Sequence, residues 1–203
     1  MKRIEDYFRK IDTDKENTGV NSNDNDELIK ENVVRGEPLV VFTDGSFVPG
    51  KYAGYSVVFP DYQEYNMCKR LSGKLTNNRA EFSGMIKALE IADEIDQTGD
   101  REVILYTDSE LLVNTVSKWM RGWKARGWKK ADKKPVKNLD LVMKLDIMTN
   151  KRKVIMRHVR AHTGLNDYCS RWNDVADKLA KSTGSQKHDG SFHQPKMEKY
   201  ISI

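Results

Sequence analysis

Cysteine is nearly absent: only Cys68 and Cys169 occur in 203 residues, and their positions make no framework spacing. A fold stapled by disulfides is excluded, and the simple expectation is a reducing compartment with free, structural thiols. Long apolar runs are missing as well, and none approaches the length of a membrane span. The N-terminus mixes acids with bases and has no hydrophobic stretch, so it reads as neither a signal nor a transit peptide. These absences predict an intracellular protein, cytoplasmic or nuclear, that is not secreted and not in a membrane. Hydrophobic residues make up only 38% of the chain. They concentrate between Leu39 and Thr183, which is enough for one sizeable core.

Charge is present but uneven. The formal net charge is +5, yet residues 1–37 hold seven basic and ten acidic side chains, so the rest of the chain carries +8. Residues 118–137 alone hold nine basic groups and one acid, again +8. The basic surplus of the folded part therefore equals the charge of one short stretch. A patch so focused favours a polyanionic partner.

Lys2 to Lys10 fits a short helix with Ile4, Tyr7 and Phe8 on one side, and residues 12–37 read as a disordered linker. A folded domain over 38–183 is expected between this N-terminal tail and a polar, mobile tail over 184–203. Within the domain, Leu39–Phe42, Gly54–Phe59 and Glu64–Leu71 suggest an antiparallel meander. Asn77 is a good N-cap for a helix carrying an apolar stripe from Phe82 to Ile95. A strand over 101–108 follows, then a helix from Glu110 to Met120 with Leu111, Leu112, Val116 and Trp119 inward. Residues 121–135 are basic and Trp-rich, with Gly122 and Gly127 as breaks. Val136–Met148 is another helix, Lys153–Val159 a fifth strand, and 170–183 a last helix. Strands first, then alternation, fits an α/β fold: a five-stranded mixed sheet with helices on both faces.

Four acidic motifs stand at the ends of these elements. Thr43-Asp44-Gly45-Ser46 follows the first buried strand, and Tyr106-Thr107-Asp108-Ser109 closes the fourth. Asn77-Asn78-Arg79-Ala80-Glu81 opens a helix, and Asn173-Asp174-Val175-Ala176-Asp177-Lys178-Leu179-Ala180 lies on the last one. A lone acid after a strand is usually a turn residue. Four acids so placed in one domain suggest a carboxylate cluster instead. Carboxylates repel one another, so such a cluster normally requires divalent cations. On the last helix Asp174 and Asp177 are both candidates, three residues apart on neighbouring parts of one face.

These motifs, together with Trp123-Lys124-x-Arg126-Gly127-Trp128-Lys129 and the run through Asn138, resemble the signature of type 1 ribonuclease H. The resemblance covers residues 38–183 in order and spacing. It implies an RNase H-like fold with a basic handle, and an endoribonuclease that hydrolyses the RNA strand of RNA–DNA hybrids, leaving 5′-phosphate and 3′-hydroxyl ends. Matched motif to motif, the metal-binding catalytic acids are Asp44, Glu81, Asp108 and Asp177, since the family's ligand stands directly before x-Leu-Ala. Asp174 is then a first-turn acid favoured by the helix dipole. Hard carboxylate ligands without cysteine favour two Mg²⁺ ions, with Mn²⁺ able to substitute. Asn77 and Asn78 match positions that contact nucleotides in the minor groove of an A-like duplex. Lys74, Thr76 and Asn138 match a pocket for a DNA phosphate. Trp119, Trp123 and Trp128, with Lys124, Arg126, Lys129, Lys130, Lys133 and Lys134, form the handle that grips the DNA strand. His162 matches a mobile-loop histidine that transfers a proton or assists product release. The chain departs from the family in the longer loop from Leu165 to Trp172, and in Glu110, where close relatives often have Gln.

The competing readings are a catalytically silent hybrid-binding module on the same fold and a DNA or junction nuclease of the wider superfamily. A monomer is expected. Both tails carry stretches that resemble sliding-clamp ligands. Gln194, Met197 and Tyr200 keep the leading Gln, whereas Ile4, Tyr7 and Phe8 lack it.

Overall fold

The computed structural model describes residues 36–161 and 164–185. The predicted N-terminal helix and linker, His162, and both clamp-like stretches lie outside the described residues. Within them, β1 (Leu39–Val48) pairs antiparallel with β2 (Tyr52–Val58), which pairs antiparallel with β3 (Met67–Arg70). On its other side β1 runs parallel to β4 (Val103–Thr107), which runs parallel to β5 (Val154–His158). The order β3-β2-β1-β4-β5 gives the expected five-stranded mixed sheet and makes β1 its centre.

A central strand must be apolar on both faces, and Leu39, Val40, Val41 and Phe42 are all buried. Leu39 and Val41 join the main core with Phe82, Met85 and Leu89 of α1 (Asn77–Ile95) and Val142 and Leu145 of α4 (Leu139–Thr149). Phe42, one step out of phase, meets Tyr168 edge-on, and Tyr168 opens α5 (Tyr168–Ser182). Ser56 of β2 donates its hydroxyl to the Ala176 carbonyl of α5 over 2.7 Å. Helices therefore cover both faces, as the order of elements predicted. No helix among the described residues is long and apolar enough to cross a membrane.

Several boundaries differ from the expectations. The third strand is shorter, because Gln63–Tyr65 forms a 3₁₀ turn and the buried Asn66 side chain accepts the Phe59 amide at 2.6 Å. The cap of α1 is Thr76, not Asn77: its hydroxyl accepts the Arg79 amide at 3.3 Å. Asn77 is instead the first helical residue, with an exposed side chain.

The helix after β4 is not one regular piece. α2 (Glu110–Asn114) passes into a π-helical turn, Thr115–Trp119, and then into α3 (Met120–Ala125). The wider turn holds an extra residue and shifts the faces. Leu112, Thr115 and Met120 are buried, Val116 is half-buried, and Leu111 and Trp119 point outward at 38% and 40% exposure. Gly122 lies inside α3 and does not break it. α4 starts at Leu139 and not at Val136, because Asn138 takes a left-handed conformation, φ 53° and ψ 40°. Asparagine tolerates that region better than most residues.

Candidate active site

Strands β1 and β4 are in register from Leu39 opposite Val103 to Phe42 opposite Tyr106, and then part. Asp44 and Asp108 each lie two residues past the last pair. Asp108 is held at this parting point. The Ser109 amide donates to Thr107 Oγ1 at 3.2 Å, and Ser109 Oγ caps α2 by accepting the Leu112 amide at 3.3 Å. At the end of β5, His158 Nε2 donates to the Asp108 carbonyl at 3.2 Å, and one residue beyond it the Val159 amide donates to the Thr107 carbonyl at 3.0 Å. Glu81 arrives from the first turns of α1. It can come so close because residue 45 is glycine: a Cβ there would sit 2.8 Å from the Glu81 nitrogen and 2.9 Å from its Cδ. One carboxylate oxygen from each of Asp44, Glu81 and Asp108 then lies within 4.8 Å of the others.

Asp177 stands beside this triad and not in it. Its Oδ2 accepts a 2.7 Å bond from Lys181 one turn further along α5. Its charge is nonetheless felt at Asp44, whose carboxyl is pushed up to about 8, by burial first and then by Asp108 and Asp177. Lys181 and the Gly45 amide oppose that rise. Glu81 is also held well above the usual carboxylate range, by burial and then by Asp44 and Asp108. Asp44 and Glu81, two buried acids whose proton affinity burial and neighbouring carboxylates raise, are poised to exchange protons for a harder cation. The donor set fits one. All its ligands are carboxylate oxygens, and Glu81 Oε2 is fully buried with no hydrogen-bond partner.

The other sequence-derived positions divide. Asn77, Asn78 and Lys74 are exposed at the start of α1 and in the loop before it. Thr76 and Asn138 are the residues immediately before α1 and α4. Beyond α3 the chain folds back on itself. Trp128 donates its amide to the Trp123 carbonyl at 2.7 Å, and Lys130 bonds the Lys134 carbonyl at 2.9 Å. Asp132 sits among the lysines, 3.7 Å from Lys130 and 3.4 Å from Lys134. Trp123 and Trp128 pack against the core, whereas Trp119 is exposed with its ring 5.8 Å from that of Trp123. Lys129, Lys133 and Lys134 are exposed. Arg126 Nε donates to the Lys129 carbonyl at 3.3 Å. Lys124 is not a free charge, since its ammonium bonds Asp146 of α4 at 2.7 Å.

The family model for RNase H matches residues 36–185. The chain belongs to the type 1 ribonuclease H family. A ribonuclease H from Maricaulis maris is 46% identical over 145 residues, spanning 70% of this chain and 91% of that protein. A ribonuclease HI from Vibrio cholerae is 37% identical over 158 residues, spanning 76% of this chain and 94% of its own. Among solved structures, the RNase H domain of prototype foamy virus superposes with a TM-score of 0.60 at 24% identity, covering 72% of this chain and 94% of that domain. LC11-RNase H1, isolated from compost and solved with an RNA/DNA hybrid, gives 0.51 at 23%, covering 72% and 96%. At that identity these two likenesses are likenesses of fold.

Sequence reasoning within the ribonuclease H pattern missed three features of the site. His158 reaches the Asp108 carbonyl because β5 pairs Thr107 with His158, which needs the strand register to be known. Lys181 was within reach, since it follows Asp177 by four residues on a helix, the spacing of a stabilising ion pair. The close approach at Gly45 left no sequence signal beyond the glycine itself.

Proposed function

We propose that this chain is an endoribonuclease that cuts the RNA strand of RNA–DNA hybrids and leaves 5′-phosphate and 3′-hydroxyl ends. The observation that carries the reading is the convergence of Asp44, Glu81 and Asp108 within 4.8 Å at the parting of two parallel strands, in a chain of this family. Asp44, Glu81 and Asp108, joined by Asp177, would hold two Mg²⁺ ions, or Mn²⁺ in their place. Such ions supply a hydroxide-like attacking water and neutralise charge on the scissile phosphate and the departing oxygen.

The chain's own part is to place and select. Gly45 lets Glu81 meet Asp44, and Lys181 restrains the Asp177 carboxylate from one side. Asn77 and Asn78 reach into the minor groove, where an A-like duplex shows its shape and 2′-hydroxyls. Trp119 and the lysines at 129, 130, 133 and 134 grip the DNA strand, and His162 moves a proton or helps product leave. The enzyme acts as a monomer inside the cell, a setting that two buried cysteines outside any disulfide suit. The catalytic domain spans 38–183. One tail recruits it to a sliding clamp, through Gln194, Met197 and Tyr200 or through Ile4, Tyr7 and Phe8. Tethering of that kind raises local concentration without new contacts at the site.

Incubation with Mg²⁺ and matched RNA–DNA, RNA–RNA and DNA–DNA duplexes tests the central claim. Cleavage confined to the RNA of the hybrid is expected. Binding without cleavage would make the chain a silent module, and cleavage of DNA would make it a nuclease of another kind. Titration of each tail peptide into the cognate clamp tests recruitment, and no saturation by about 100 μM, a generous limit for a short motif, would remove it.

A further inference from the structure

Arg79 and Asp140 face each other as a fork and a carboxylate. Arg79 Nη1 lies 3.0 Å from Oδ1 and Nη2 lies 2.7 Å from Oδ2, across 61 residues of sequence. Each stands in the first turn of a different helix, α1 and α4. Arg79 also donates its backbone amide to Thr76 Oγ1 at 3.3 Å, so one residue holds the cap of its own helix and the start of α4. On the far side, Asp140 is two residues past Asn138, whose carbonyl accepts the Leu141 and Val142 amides at 3.0 Å each. The Asn138 side chain takes no part in capping α4.

The stability of the fold does not account for this pair. Its side chains are 22% and 57% exposed, and ion pairs at that exposure contribute little. What a two-point fork supplies is direction. Apolar packing between α1 and α4, through Phe82, Met85, Val142 and Leu145, resists separation of the helices. It does little against sliding or rotation, which a bidentate contact restrains in both senses.

We propose that Arg79 and Asp140 are positioning residues that fix the start of α1 relative to the start of α4, and with them Thr76 and Asn138, the two positions that resemble the family's pocket for a DNA phosphate. The inference rests on the hybrid-cleaving function above. It assigns Asp140 a role opposite to what its charge alone would do. An acid beside a polyanion weakens binding by repulsion, so removing its charge would tighten binding unless the residue is holding something in place.

The test measures KM, kcat, hybrid Kd and Tm for Arg79→Gln, Arg79→Lys, Asp140→Asn and Asp140→Ser, and for the Arg79→Gln/Asp140→Asn double variant. The expected result is a KM and Kd raised about three- to tenfold in every variant, with kcat within about twofold and the double variant no worse than the singles, because all break the same ion pair. Arg79→Lys fails like Arg79→Gln, since it keeps the charge and loses the fork. Tighter or unchanged binding by both Asp140 variants would overturn the proposal, as would a fall in Tm with KM unchanged. Absence of any saturable hybrid binding or cleavage by the unaltered protein would instead sink the functional reading on which it rests.

Discussion

The rings of Phe42 and Tyr106 stack face to face, with centroids 4.7 Å apart and planes 11° from parallel. They are the last residues paired between β1 and β4, and two residues further along stand Asp44, still in β1, and Asp108, one residue past β4. Side chains two apart on a strand share a face. The stack therefore fixes the register that sets one carboxylate beside the other. The repulsive step is taken where the two strands cease to pair.

Replacing Asp108 by Asn is expected to abolish cleavage, by at least about a hundredfold in kcat, while hybrid affinity stays near normal. A neutral amide cannot anchor a cation shared among carboxylates, and the proposed contacts to the duplex lie elsewhere. Single-turnover cleavage alongside equilibrium binding checks both halves. Asp174→Asn should be mild and Asp177→Asn severe; the reverse order would move the fourth ligand to Asp174.

Gly45→Ala should harm the site without touching a carboxylate. The new methyl would come within 2.8 Å of the Glu81 amide nitrogen and 3.1 Å of Ala80 Cβ, so α1 must shift. A displacement near 1 Å costs on the order of a hundredfold in rate. Steady-state kinetics with a melting curve would show kcat falling further than KM rises, together with a lower Tm. An unchanged kcat would mean that the helix gives way easily.

Metal-free stability should rise when Asp44 loses its charge. Its carboxyl titrates near 3.8 when unfolded and is pushed up to about 8 in the fold, so between those values the native state holds more protons. Stability then declines as pH climbs through that window and is greatest at its acid end. In EDTA, Asp44→Asn should melt higher than the parent at pH 8, by about 2–4 °C for each kcal/mol recovered, with the gain shrinking toward pH 5. Added Mg²⁺ should stabilise the parent more than the variant. Calorimetry across pH 5–8, with and without the ion, reads all of these outcomes.

Changing Lys129, Lys130, Lys133 and Lys134 to Ala should raise KM and flatten its salt dependence, by about one unit of slope for each phosphate no longer neutralised. Lys124→Ala should do much less, because Asp146 already neutralises that ammonium at 2.7 Å. Titrations at several ionic strengths separate the two variants. Equal slopes for parent and quadruple variant would make the segment a solvated surface.

The grouping of Asp44, Glu81 and Asp108 was legible in the sequence because each follows an apolar run or stands in the first turns of a helix, and periodicity marks those places well. The sheet was legible for the same reason. What escaped was set by contacts between distant residues or by choices between near equals. Thr76 and Asn77 are both capable caps, and the extended backbone at Thr76, φ −152° and ψ 154°, decides between them. The Arg79–Asp140 and Lys124–Asp146 pairs join helices 61 and 22 residues apart, and no local pattern announces them. Leu112, Val116 and Trp119 fit a regular helical stripe on paper. That stripe hid the π turn and turned Trp119 inward by mistake.

That turn makes the aim of the basic segment a matter of arithmetic. One residue advances a helix by about 100°. Deleting a single residue between Thr115 and Trp119 would restore an ordinary α-helix while leaving composition, charge and core almost untouched. In an unbroken α-helix such a deletion would swing everything behind it by roughly a quarter-turn; here the wide turn takes up the extra residue, so the tryptophan pair and the lysines behind it would keep their direction. Relatives that differ here by one residue could therefore present the same basic segment along the same line. The phase of the backbone, not the identity of any side chain, is then the inherited quantity.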